Sequence, residues 1–149
     1  MADHIAKQVV DAVAAMIVAA GTSLDDRVYV GRVTQPTKEQ LPCALVDIVG
    51  ESIEMMGASM PHQQQRTVGI DVAILVRDLN GYDAVAFLAL KEVEHVIAAD
   101  HTAQSKVRML RPVSVRWERD NAGDQPVVRA TLSCEAFAFV RNNAVDAAI

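Results

Sequence analysis

The sequence predicts an α+β domain: one mainly antiparallel sheet, open to a parallel pair, with two helices packed on one face. Three observations carry this. Arg66, Val68, Ile70, Val72, Ile74 and Val76 alternate with Thr67, Gly69, Asp71, Ala73, Leu75 and Arg77. A period of two with β-branched residues on one side marks a strand with one apolar face. The same period returns in Val128, Ala130, Leu132, Cys134, Ala136, Ala138 and Val140. Between these strands the period becomes helical from Tyr82 to Ala99, with Val85, Leu88, Ala89, Val93, Val96 and Ile97 as its apolar set.

The remaining elements follow in chain order. A first helix spans Asp3 to Ala20, with Asp3 placed to cap its first turn and Gly21 to end it in a left-handed conformation. Ile5, Val9, Val13, Met16 and Ile17 form its face, and six alanines raise its propensity. Its second half is apolar around much of the circumference, so a sheet and a neighbouring subunit are both expected against it. Val28–Val30 is a short strand. The strand from Cys43 to Val49 is apolar on both faces, which predicts a central position, and it can run on through Ile53. Residues 54–64 read as an exposed, mobile hairpin loop containing Met55, Met56 and Met60. These methionines either fold back on the domain or form an adaptable docking surface. After the second helix a strand starts at Lys106, is interrupted at Arg111-Pro112 and resumes through Val113, Val115 and Trp117; the proline predicts a bulge or an edge. Asn121 to Gln125 is a hairpin turn, Val127 to Val140 the last long strand, and residues 141–149 a short tail that frays.

The totals narrow the function. A chain of 149 residues fits one domain, 1–149. With 51% hydrophobic and 22% charged residues, it is not a disordered chain. A net charge of −5 argues against a protein that coats nucleic acid, which needs clustered cations to displace counterions. No apolar run approaches the roughly 20 residues that span a bilayer, and the first residues lack the basic region of a secretory signal. The expectation is a cytoplasmic protein with no membrane partner. Cys43 and Cys134 lie among apolar residues and are expected to be buried free thiols.

A search for chemistry finds little. His4, His62, His95 and His101 have no metal-ligand spacing, and no CxxC pair accompanies them. No nucleophile elbow or phosphate loop is present. No cofactor, metal or catalytic residue is therefore expected. Asp47, Asp71, Arg116 and Glu135 lie in long strands and could meet on one sheet face. They form either a solvated or inter-subunit charged cluster, or the acid–base pair of a small enzyme.

Four stretches carry a resemblance: the opening helix ending at Gly21; Val28-Tyr29-Val30-Gly31-Arg32 followed by Leu41-Pro42-Cys43-Ala44-Leu45-Val46; the long strand leading to Gly81-Tyr82-Asp83-Ala84 and the helix with Lys91-Glu92-Val93-Glu94; and the closing strand Ala130 to Val140. In element order and diffuse pattern the chain resembles the tail terminator, or tail completion, proteins of long-tailed bacteriophages, the minor tail protein U type. The resemblance implies a non-enzymatic virion protein of the tail, assembled in the host cytoplasm. It implies a homo-oligomer, a ring of six, with the tail tube protein and a head-completion protein as partners and DNA passing through the lumen without specific binding. A head-completion or neck protein of the head–tail connector is the alternative, and a small enzyme using Asp47, Asp71 and Glu135 is a third reading. For self-association, the first helix and an exposed Phe137 and Phe139 at the end of the last strand are the expected apolar surfaces.

Overall fold

The alternating strands at 63–77 and 127–141 lie side by side at the centre of the sheet. The structure is a computed structural model that describes residues 3–31, 36, 40–57, 63–77, 82–120, 127–141 and 144–149. Along the chain these form α1 (Ile5–Ala19), β1 (Val28–Val30), β2 (Cys43–Met56), β3 (Gln63–Arg77), α2 (Tyr82–Ala99), β4 (Met109–Asp120), β5 (Val127–Arg141) and β6 (Ala144–Ala148). The sheet order is β1-β2-β3-β5-β4, with β6 on β5. All pairs are antiparallel except β1 with β2. The α+β class holds, with one parallel pair.

Both helices pack on one face. Val9, Val13 and Ile17 of α1 and Ala89, Val93 and Ile97 of α2 join Val68, Ile70, Val72 and Ile74 of β3 and Leu132 of β5 in one buried core. The register explains why: Ile70 stands opposite Cys134 and Val72 opposite Leu132, so the apolar alternations of two strands coincide. The other face of the sheet is open, with a small apolar cluster of Cys43, Leu45, Ala73 and Leu75. Both cysteines are buried and neither is in a disulfide, and burial pushes the Cys134 thiol up to about 12.

Several expectations need correction. His4, not Asp3, caps α1: its Nδ1 accepts from the Ala6 amide at 3.2 Å, while Asp3 pairs with Lys7. Gly21 does take the left-handed conformation, at φ 66°. The buried face of α2 is Ala86, Ala89, Leu90, Val93 and Ile97, which leaves Val85 and Leu88 exposed. The shift by one position follows from the small Ala86 and Ala89 lying against the sheet. On α1 nine residues are buried within this chain, and Val18 is the large apolar residue left exposed. The sheet, α2 and β6 cover the helix, so it offers a neighbour little apolar surface.

Strand pairing also runs further than the sequence suggests. Glu54, Met55 and Met56 pair with Gln65, Gln64 and Gln63, so the ends of the expected 54–64 loop are strand; residues 58–62, with Met60, lie outside the described residues. The expected tail contains β6, and the Gln8 side chain donates to the Asp146 carbonyl at 2.7 Å. Pro112 lies in β4 itself, at a bulge and on the sheet edge. The expected turn at Asn121–Gln125 lies outside the described residues.

Candidate functional site: two unlike sheet edges

The charged set is only partly brought together. Asp47 and Asp71 stand opposite each other across β2 and β3. Asp71 Oδ1 accepts from the Ser133 hydroxyl at 2.8 Å, a partner the sequence reading did not name. Glu135 lies further along the open face and binds Arg111 at 3.1 Å. Arg116 is not part of the cluster: its Nε binds Glu118 at 2.6 Å on the exposed edge strand. A groove of about 800 Å³ lies between α1 and α2, lined by Met16, Ala20, Leu88 and His95 among others. It is on the helix side, away from Asp47, Asp71 and Glu135. Among the described residues, no three His, Cys, Asp or Glu side chains are placed to hold a metal, and no helix is long and apolar enough to cross a membrane.

Phe137 and Phe139 are less exposed than expected. Both rings are half-buried. The Arg111 guanidinium lies 5.3 Å from the Phe137 centroid, and that of Arg108 5.6 Å from Phe139. Cation–π stacking of this kind covers the ring faces. Arginines that precede or begin β4 therefore shield one side of each ring.

The exposed apolar surface lies elsewhere, at the two edges. β2 is buried from Cys43 to Val46 and exposed from Ile48 to Met56. Ile48, Val49, Ile53, Met55 and Met56 are 45%, 62%, 53%, 49% and 42% exposed. Val49 sits at the bulge between Ile48 and Gly50. A Cβ on Gly69 would come within 2.9 Å of Val49 Cγ2, so glycine there makes room for the bulge. β1 pairs with β2 only at Ala44, Leu45 and Val46. Beyond Val46 no strand among the described residues lies on the outer side of β2.

The opposite edge carries a different set. Phe87 of α2 packs on Trp117 of β4 with ring centroids 4.7 Å apart. Val113 of the same strand is exposed as well. Of all these residues the sequence reading singled out only Met55 and Met56 as contact surface. The missed signal was apolar surplus: β2 stays apolar past the point that β1 covers, and Phe87 falls outside the core stripe of α2.

No family model matches the chain, and no curated protein does. Among solved structures, the chain is similar to one from the virion of a native gene transfer agent particle. The two are 11% identical, with a TM-score of 0.37, over 81% of this chain and 84% of that chain. At that TM-score the likeness carries no argument about function.

Proposed function

We propose that this chain is a structural subunit of a phage-type virion, a tail terminator that closes into a ring of six on the finished tail tube. In that role it stops tube elongation and presents the surface to which the head joins. The observation that supports this reading is the pair of unlike apolar patches on opposite sheet edges. A ring repeats one heterologous contact, and each subunit then needs two different complementary surfaces. A two-fold dimer would need only one. The element order described above supports the tail-terminator assignment within that class. An overall acidic chain suits a ring through which DNA passes, since carboxylates repel phosphates.

The test is reconstitution with unterminated tail tubes. Added protein should halt elongation and make tails competent to join heads. If it neither binds tubes nor limits their length but joins heads to completed tails, the head-completion reading replaces this one.

A further inference from the structure

We propose that the free edge of β2, Ile48–Met56, adds as an antiparallel strand to the free edge of β4 in a second copy, so that one sheet continues from subunit to subunit. This rests on the ring reading above and names its contact. An uncovered strand edge is a template for pairing with another chain. β2 beyond Val46 and β4 along its outer side are the long uncovered edges among the described strands; β1 and β6 are short. Because β2-β3, β3-β5 and β5-β4 are all antiparallel, β2 and β4 of one subunit run in opposite directions. Copies rotated about an axis that preserves strand direction therefore bring β4 of one against β2 of the next in the antiparallel sense.

Both faces of such a joint match. On the helix side, the register places Ile48, Ile53 and Met55 of β2, with Glu51, and Val115 and Trp117 of β4, with Arg119. On the open side it places Asp47 and Glu54 of β2 and Arg111 and Arg116 of β4. The helix side is thus mainly apolar on both strands, and the charges of the free β2 edge are all acidic where β4 carries three arginines. The contrast holds along the strands: Asp47–Met56 has three carboxylates, Asp47, Glu51 and Glu54, and no lysine or arginine, whereas β4 has Arg111, Arg116 and Arg119 against Glu118 and Asp120.

The levels agree too. Within one subunit Ile48 lines up through Ile70 and Cys134 with Pro112, so without a stagger most of the free β2 edge would run past the start of β4. Strands in closed barrels tilt by roughly 40°. Across four strands at about 4.8 Å spacing this displaces the next copy by roughly 16 Å, or about five residues. The β3–α2–β4 crossover joins parallel strands and is right-handed by the general rule. With the helices on the outside of the ring and the right-handed strand twist, the displacement is toward Asp120. Ile48–Met56 then lies beside the middle of the neighbour's β4.

The experiment is cross-linking with a short bismaleimide in the assembled protein; the native Cys43 and Cys134 are buried. Ile53→Cys and Val113→Cys replace exposed residues. The double variant should give a ladder of linked subunits ending at the ring size, and neither single variant should link. Glu54→Cys with Ser114→Cys provides a second pair on the open face if the first does not fold. Linking of Ile53→Cys alone would show two-fold pairing of β2 with itself and overturn the proposal. An assembled particle, by mass, in which neither double variant links would also overturn it while leaving the ring reading standing. A chain that stays monomeric in concentrated solution and on tube tips would remove both.

Discussion

The two halves of β2 both carry apolar residues and have opposite fates. Cys43, Ala44, Leu45 and Val46 are buried on both faces, between α1 on one side and Tyr29 and Leu41 on the other. Ile48 to Met56 is exposed throughout, although its partners Gln64, Arg66 and Val68 in β3 are buried. The difference lies in what closes each end. The Cys43 end is held by side chains excluding water. The Met56 end is held by polar bonds: Arg66 Nη1 to Glu51 at 2.6 Å, Arg66 to Gln64, and His4 Nε2 at 3.3 Å from Arg66. Near that end, the Asp100 turn leads into β4, where the Leu110 amide donates to the His101 carbonyl. Apolar residues at this end are therefore free for a partner without weakening the subunit.

The largest expected effect tests that contrast directly. Val46→Asp places an unpaired charge at a fully buried site and should cost about 3 kcal/mol or more in chemical denaturation. Ile53→Asp, seven residues along the same strand, should change monomer stability by less than about 0.5 kcal/mol yet abolish tube capping. Equal destabilisation by the two would mean that Ile53 is covered in the subunit, and the contrast would fail.

The next effect concerns the polar closure. Arg66 and Glu51 side chains are 10% and 22% exposed. Arg66→Ala leaves Glu51 without its partner and should cost about 2 to 3 kcal/mol, less than a fully buried pair. The double replacement Arg66→Met with Glu51→Leu should recover most of that loss. If the double variant is as unstable as Arg66→Ala, packing around Arg66, not its charge pairing, closes this end.

A smaller change of opposite sign is expected in the turn after α2. Ala103, Gln104 and Ser105 all have positive φ, at 47°, 57° and 67°. The left-handed region costs a residue with a Cβ about 1 to 2 kcal/mol, and glycine returns part of that gain as unfolded-chain entropy. Ser105→Gly should therefore stabilise by about 0.5 kcal/mol. A loss of stability would show that the Ser105 side chain contributes more than its backbone strain costs.

The sheet was legible because its signal is local. Alternation over Arg66–Val76 and Val127–Val140 sets which residues face the helices, and the register puts these faces together. The proline in β4 announced both the bulge and the edge. What was not legible depended on which neighbour covers a residue. Phe137 and Phe139 continue a polar strand face, and only the placement of Arg111 and Arg108 shows that they are partly covered. Arg66 continues an apolar face, and only α1's first turn and Glu51 explain its burial. The charged set came together only in part for the same reason: Arg116 shares the open face with Asp71, but the nearer Glu118 on its own strand takes it. Val49 and Ile53 look like core residues in the sequence, because the short strand Val28–Val30 does not record that it pairs only with Ala44, Leu45 and Val46.

The smallest effect is one of pH, and it sharpens the claim that polar bonds hold the region around β4's start. Asp100 Oδ1 accepts from the Thr102 hydroxyl at 2.7 Å and the Thr102 amide at 3.1 Å, and Oδ2 accepts from the Gln104 amide at 2.8 Å. These bonds, the Thr102 hydroxyl first and the Gln104 amide next, hold the Asp100 carboxyl below its ordinary range. A carboxyl depressed in the folded state stabilises the fold fully above its unfolded pKa, about 3.9. That contribution is lost as pH falls from there through the depressed folded value, because the unfolded state takes up the proton first. The group is close to water, so the effect is modest. Asp100→Asn keeps an acceptor for Thr102 but cannot accept from the Gln104 amide with its Nδ2. The parent should therefore be the more stable of the two at pH 7, and the gap should narrow as pH drops from about 4 toward 2. Denaturation curves of both proteins across that range give the answer. A gap that stays constant with pH would assign the stabilisation to bond geometry instead of the carboxylate charge, and Val46→Asp and Ile53→Asp would be unaffected by that outcome.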